Sequence, residues 1–115
     1  MNIKRNISPV PQEVKEHVKQ YLSKEVENGN DLGELIDVMR ASEHPEDHYL
    51  YHVITRKPNT RKLFHNGEWN YSCFTCWNET TQSLNFGHYH LESEEEARES
   101  LAKHLHKISG TNVID

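Results

Sequence analysis

The residues best suited to chemistry fall in one stretch. Cys73 and Cys76 stand three apart in a run rich in aromatic and β-branched residues, and His88 and His90 form a His-x-His pair downstream. On a strand, alternate side chains share a face about 7 Å apart along the backbone, a spacing at which two imidazoles can chelate one ion. If Thr80 and Thr81 are the central residues of a hairpin, Cys73 falls opposite His88. Cys73, His88 and His90 would then form a three-ligand zinc site, with Cys76 on the other face. Zinc Cys-x-x-Cys pairs normally sit on tight turns, so the favoured reading is two reduced thiols acting as small hydrophobes beside two satisfied histidines. Neither a metal nor a cofactor is expected.

Covalent catalysis is weaker still. A nucleophilic cysteine needs a base and an electropositive, exposed setting, and His88 is the only base the pattern brings near. The chain has no glycine-rich phosphate loop and no nucleophile elbow, and Glu68 and Glu79 sit at strand ends. His44, His48 and His52 would align only on a helix, which Pro45 and the β-rich run after it oppose. His104 and His106 lie two apart on an expected helix and face different directions. Nine histidines make the charge sensitive to mild acid, but as a composition this needs no sensing role. The chain does not read as an enzyme.

Two binding surfaces remain. Arg56, Lys57, Arg61 and Lys62 form a basic turn that could hold nucleic-acid phosphates while sheet aromatics stack on bases. Charge opposes that use, since the chain carries −5 overall. Residues 1–47 hold six basic groups against ten acidic, residues 48–91 four against two, and residues 92–115 three against six. The second surface is a sheet face carrying Phe74, Tyr89 and Leu91. Its acidic helical surroundings suit a basic protein partner.

Nine of the ten aromatic residues lie between Tyr49 and Tyr89, so the middle of the chain should be a sheet and the flanks its covering helices. Ser8-Pro9-Val10-Pro11 opens a first helix, whose apolar face is Val14, Val18, Tyr21, Leu22 and Val26, and Asn28-Gly29 ends it. Asp31 with Glu34 reads as a capping box for a second helix with Leu32, Leu35, Ile36 and Met39 as its apolar face, ending near Ala41 and Ser42. Strands are expected over 49–55, 69–77 and 84–91, with Lys62 to Phe64 as either a fourth, short strand or an extended loop. Ser93 and Glu96 cap a last helix that buries Ala97, Leu101, Leu105 and Ile108 and stops at Gly110.

The expected fold is thus α+β: two N-terminal helices, an antiparallel three- to four-stranded meander, and a C-terminal helix packed on the sheet. The hairpin pairing puts Trp69, Tyr71, Cys73, Thr75 and Trp77 on a core face, and Phe74, Cys76, Tyr89 and Leu91 on a half-polar outer face. The strand-strand-strand-helix order resembles the three-stranded DNA-binding domains of phage-type integrases and, with the preceding helix, double-stranded-RNA-binding domains. The acidic helices argue against the nucleic-acid role this resemblance implies.

A single domain over 1–115 is expected, with flexible ends at about 1–10 and 111–115. No transmembrane run or secretory signal is read, so the expected location is cytoplasmic. The functional expectation is a small acidic, non-enzymatic protein-binding module of regulator, inhibitor or immunity type, with homodimerisation through the outer sheet face as one use. Nucleic-acid binding stands second and zinc binding third.

Overall fold

The computed structural model describes residues 9–42 and 44–109, with side chains through Lys103. A helix α1 (Gln12–Glu27) precedes four strands, β1 (Glu34–Arg40), β2 (Leu50–Pro58), β3 (Trp69–Asn78) and β4 (Ser83–Leu91), and a helix α2 (Glu94–Ser109) follows them. The strands form one antiparallel sheet in the order β1-β2-β3-β4, so β1 and β4 are its edges. The expected α+β meander is present, with one helix rather than two ahead of it. Among the described residues, no helix is long and apolar enough to cross a membrane.

The helices cover opposite faces of the sheet. Val14, Val18 and Leu22 of α1 meet Val38, Tyr51, Val53, Phe74 and Trp77. Ala97 and Leu101 of α2 meet Ile54 and Cys73, with Ile36, Met39, Tyr71 and Leu91 at the margin. Val53 and Ile54 are neighbours in one strand and therefore point to opposite sides. Val26, expected on the buried stripe of α1, is instead exposed.

The segment expected to be a second helix is the edge strand β1, and the cause lies in a bulge. The register of β1 on β2 shifts between Leu35 and Asp37. The extra residue puts Leu35 and Val38 on the α1 side and Ile36 and Met39 on the α2 side. Apolar pairs three residues apart thus imitate a helical stripe. Asp31 caps nothing; its Oδ1 accepts the Gly33 N–H at 2.9 Å. Glu34 pairs with Arg56 across the strands at 2.9 Å. The fourth strand comes from this segment, whereas Lys62 to Phe64 lie in a loop.

A second irregularity re-sorts β3. Tyr51 pairs with Trp77, but Val53 pairs with Phe74, so the sheet faces exchange within β3. Tyr71 and Cys73 face α2, while Phe74 and Trp77 face α1. His52 sits at this bulge, buried, with its Nδ1–H donated to the Thr75 carbonyl at 2.8 Å.

At the start of α2, Ser93 Oγ accepts the Glu96 N–H at 3.1 Å and Glu96 Oε1 accepts the Glu92 N–H at 2.9 Å, a close relative of the expected capping box. Arg98 fastens α2 to β1 through Asp37 at 2.9 Å. The expected placements of His104, Leu105, His106 and Ile108 concern side chains beyond those described, and Gly110 and the segments 1–8 and 111–115 lie outside the described residues.

Candidate functional site: the aromatic edge of the sheet

The loop between β2 and β3 is organised by one buried side chain. Asn59 Nδ2 donates to the carbonyls of His65 at 3.1 Å and Gly67 at 2.8 Å. Its Oδ1 accepts the Lys62 N–H at 3.1 Å and Asn70 Nδ2 at 3.2 Å. Lys62 turns the chain with φ 54. Held this way, the loop turns Leu63 (67% exposed) and Phe64 (66%) outward. Phe64 stacks on His90 of β4 with ring centroids 4.1 Å apart.

Strand β4 continues this surface. Phe86 is 73% exposed and Tyr89 49%. Tyr89 lies edge-on over Phe74 at 5.6 Å. Its hydroxyl comes within 2.5 Å of where a Cβ on Gly87 would stand, so this packing requires glycine there. Gln82, Phe86 and His90, spaced four apart, have φ of 53, 60 and 64. Left-handed conformations at non-glycine residues are uncommon, above all for a bulky ring such as Phe86.

The expected trio separates. Phe74 is buried under α1, Tyr89 covers it from solvent, and Leu91 packs against α2 on the far face. A register shift in β4 between the partners of Tyr71 and Cys73 moves Leu91 there. Leu63, Phe64 and Phe86 join the surface instead, and nothing local in the sequence marks them as exposed.

The basic turn adjoins the same surface, with most of its cations engaged. Arg56 pairs with Glu34, and its guanidinium lies 3.9 Å from the Trp69 ring centroid. Lys57 Nζ donates to the Asp31 carbonyl at 2.9 Å, and Lys62 Nζ to that of Gly67 at 2.9 Å. Arg61 is exposed. Glu92 approaches the loop at Gly67, and Glu68 is exposed beside it.

Cys73 pairs with His88 in the β3–β4 ladder, as the hairpin centre implies. Even so, Cys73 is fully buried on the α2 side, and His90 is turned away onto Phe64. Among the described residues, no three His, Cys, Asp or Glu side chains come together as a metal site needs. Burial pushes both the Cys73 and Cys76 thiols up, the reverse of what a nucleophile requires.

A raised thiol keeps its proton in the folded state while the unfolded chain ionises near its ordinary value of about 8.5. The stability this contributes is complete below that pH and falls as pH climbs through the folded-state value. Urea unfolding should therefore give a lower free energy at about pH 9.5 than at about pH 7.5, and Cys73→Ala should flatten the fall. An unchanged slope in Cys73→Ala and Cys76→Ala would remove the thiols as its source.

One polar cluster joins residues 62 positions apart and has no sequence signature. Glu79 Oε1 accepts Trp77 Nε1–H at 2.9 Å, and Oε2 meets His17 Nδ1 at 2.5 Å. It ties α1 to the β3–β4 hairpin beside an open groove lined by His17, Tyr21, Ser23 and Gln82. Ser23 Oγ and His17 share no hydrogen bond among those described, so the cluster lacks the nucleophile–base contact of a hydrolase.

The model of a family described as large polyvalent protein associated domain 24 matches residues 13–95. The chain belongs to this family. The match runs from the first turn of α1 through the whole sheet to the start of α2, so the family unit includes both the Asn59 loop and β4. Neither a curated protein nor a solved structure matches the chain.

Proposed function

We propose that this polyvalent-protein-associated domain is a non-enzymatic protein-binding module, of regulator, inhibitor or immunity type, that meets its partner through β4 and the Asn59 loop. The observation that carries the proposal is Phe86, which is 73% exposed at φ 60. A left-handed L-residue costs roughly 1–2 kcal/mol, and here that conformation displays a ring to water instead of burying it. Strain of this kind gathers at functional positions. Exposed aromatics are the side chains that most often anchor interfaces.

The partner contact is made by side chains. Left-handed residues at Phe86 and His90 interrupt β4 as an edge, which guards against simple sheet extension. The chain's net charge of −5 favours a basic partner. The family description, an association with large polyvalent proteins, is in keeping with a module that works beside other protein segments.

Nucleic-acid binding through Arg56, Lys57, Arg61 and Lys62 is the second reading, favoured by the Phe64–His90 stack that sets the basic loop beside the β4 aromatics. Glu34, Glu68 and Glu92 offset that loop's charge, which places it below protein binding.

Phe86→Asn tests stability and function together, because asparagine tolerates the left-handed region. The variant should unfold at equal or higher free energy, by up to about 1 kcal/mol, while losing a protein captured by the wild type. Its native mass alone and in mixture reports whether that protein is a second copy. Capture of nucleic acid only, in a salt-sensitive manner, would overturn the proposal. So would a Phe86→Asn variant that unfolds like one with a lost core phenylalanine.

A further inference from the structure

The loop that turns Leu63 and Phe64 outward has a second tie besides Asn59, the half-buried ring of His65. Its Nδ1 meets the Gly67 backbone nitrogen at 3.0 Å. A backbone N–H can only donate, so Nδ1 is the acceptor and the ring proton sits on Nε2. The Asn59 amide nitrogen, another donor, stands 3.5 Å from the same Nδ1. Nε2 is buried, with no hydrogen-bond partner among the described residues.

Neither nitrogen can accommodate the charged form of the ring. Imidazolium carries a hydrogen on both nitrogens. On Nδ1 that hydrogen would face the Gly67 N–H, donor against donor. At Nε2 the positive charge would lie out of reach of water, where a charge without a partner is costly. The charged groups around the ring divide. Lys62 Nζ, bonded to the Gly67 carbonyl at 2.9 Å and the Asn66 carbonyl at 3.3 Å, sets a cation on the same stretch, and Arg61 is exposed beside it. Glu68 is exposed on the loop, and Glu92, just past β4, brings its methylene group near Gly67. Neither carboxylate forms an ion pair with His65 among the described residues. His90 differs in kind. It stacks on Phe64 at 4.1 Å, and a cationic ring is attracted to an aromatic face. Acid acting through His90 would hold the loop, and acid acting through His65 would release it.

We propose that His65 is an acid-sensitive latch on the partner surface. Its neutral ring holds the loop closed, and its protonation frees residues 62–67 and draws Phe64 off His90. For what the loop presents, this rests on the protein-binding function above, whereas the latch itself belongs to the free chain. The closed loop binds one proton fewer than the open one, so acid favours the open form. Histidine changes charge between about pH 5 and 8. Through that range the ratio of closed to open loop falls by up to about tenfold per pH unit.

The test follows the isotope-labelled full chain by NMR from about pH 7.5 to about pH 5.5. At the upper end the His65 ring should carry its proton on Nε2, and the Phe64 and His90 rings should show close proton contacts. In acid these contacts should vanish, and the Gly67 amide should shift along the same curve as the His65 ring. His65→Asn supplies a short acceptor oxygen that takes up no proton in this range, so its ring contacts should persist in acid. Capture of the Phe86-dependent partner should weaken about tenfold or more between the two pH values in the wild type and little in His65→Asn. A His65 protonated on Nδ1 at the upper pH overturns the latch, as does a closed loop around an imidazolium in acid. Both are read on the wild type and stay decisive if His65→Asn fails to fold. Equal loss of the ring contacts in His65→Asn also overturns it, by moving the response to His90 or Glu92. A latch that works in a chain with no Phe86-dependent partner at any pH overturns the protein-binding function instead.

Discussion

Replacing Trp77 by alanine is expected to lower the unfolding free energy by about 3–5 kcal/mol, the usual loss for a buried tryptophan. Domains of this size have only about 5–15 kcal/mol in total, so the variant should be close to unfolded. Trp77 is fully buried and meets the edge of Tyr21 at 5.4 Å. Its Nε1–H is also one of the two fixed partners of Glu79, the other being His17. Alanine therefore removes the ring, opens a cavity beneath α1, and strips a half-buried carboxylate of a donor. With a urea slope of about 2 kcal/mol per molar, the midpoint should drop by roughly 2 M. Trp69 is the control. It is half-buried, and its ring stacks on the Arg56 guanidinium at 3.9 Å. Trp69→Ala should cost about 1–2 kcal/mol, from part of the ring area and an exposed cation–π contact. Equal losses in the two variants would contradict the placement of these residues.

That contrast marks the limit of what alternation along the chain can reveal. The three main strands are legible because aromatic and β-branched residues cluster there, and the Cys73–His88 pairing follows from the symmetric position of Thr80 and Thr81. Which residues share a face is not legible, because each strand pair holds a register shift. A single extra residue reverses every side chain beyond it. For this reason Trp77 leaves the company of Tyr71 and Cys73, Phe74 becomes core, and Leu91 crosses to α2. A bulge arises from how two strands twist together, and a period-2 reading of one strand cannot contain it.

The candidate surface is legible to a lesser degree. Tyr89 is half-exposed, and the basic turn does lie beside the aromatics. Phe86 is invisible for a physical reason, since its conformation contradicts its own residue preference. Its outward position is a property of the folded edge. Asn59 is hidden differently. An asparagine after a proline reads as an ordinary turn residue, yet this one is buried and satisfies three groups of the loop and the Asn70 side chain of β3. The outward set of Leu63 and Phe64 thus depends on a residue whose role emerges only when the loop closes around it.

Gly33→Ala separates the two readings of residues 31–42 by the sign of its effect. In a helix beginning at Asp31, alanine in the first turn would stabilise by up to about 1 kcal/mol over glycine. In the strand that forms, Gly33 has φ 100, and an added Cβ would stand 2.6 Å from the Arg56 carbonyl oxygen. That oxygen belongs to the backbone of β2 and cannot swing aside as a side chain would. Relief requires β1 to shift, which disturbs the Glu34–Arg56 ion pair and the 2.6 Å hydrogen bond from Thr55 Oγ1 to the Leu32 carbonyl. The left-handed conformation alone costs an L-residue about 1–2 kcal/mol, so with the collision the loss should reach 2 kcal/mol or more. Gly29→Ala isolates the conformational part, because Gly29 has φ 86 with nothing within 4 Å of its added Cβ. Urea unfolding of the two variants should place Gly33→Ala clearly below Gly29→Ala. A Gly33→Ala protein as stable as the wild type would mean that residues 31–33 do not approach β2 as described, and the β1 register would fall with it.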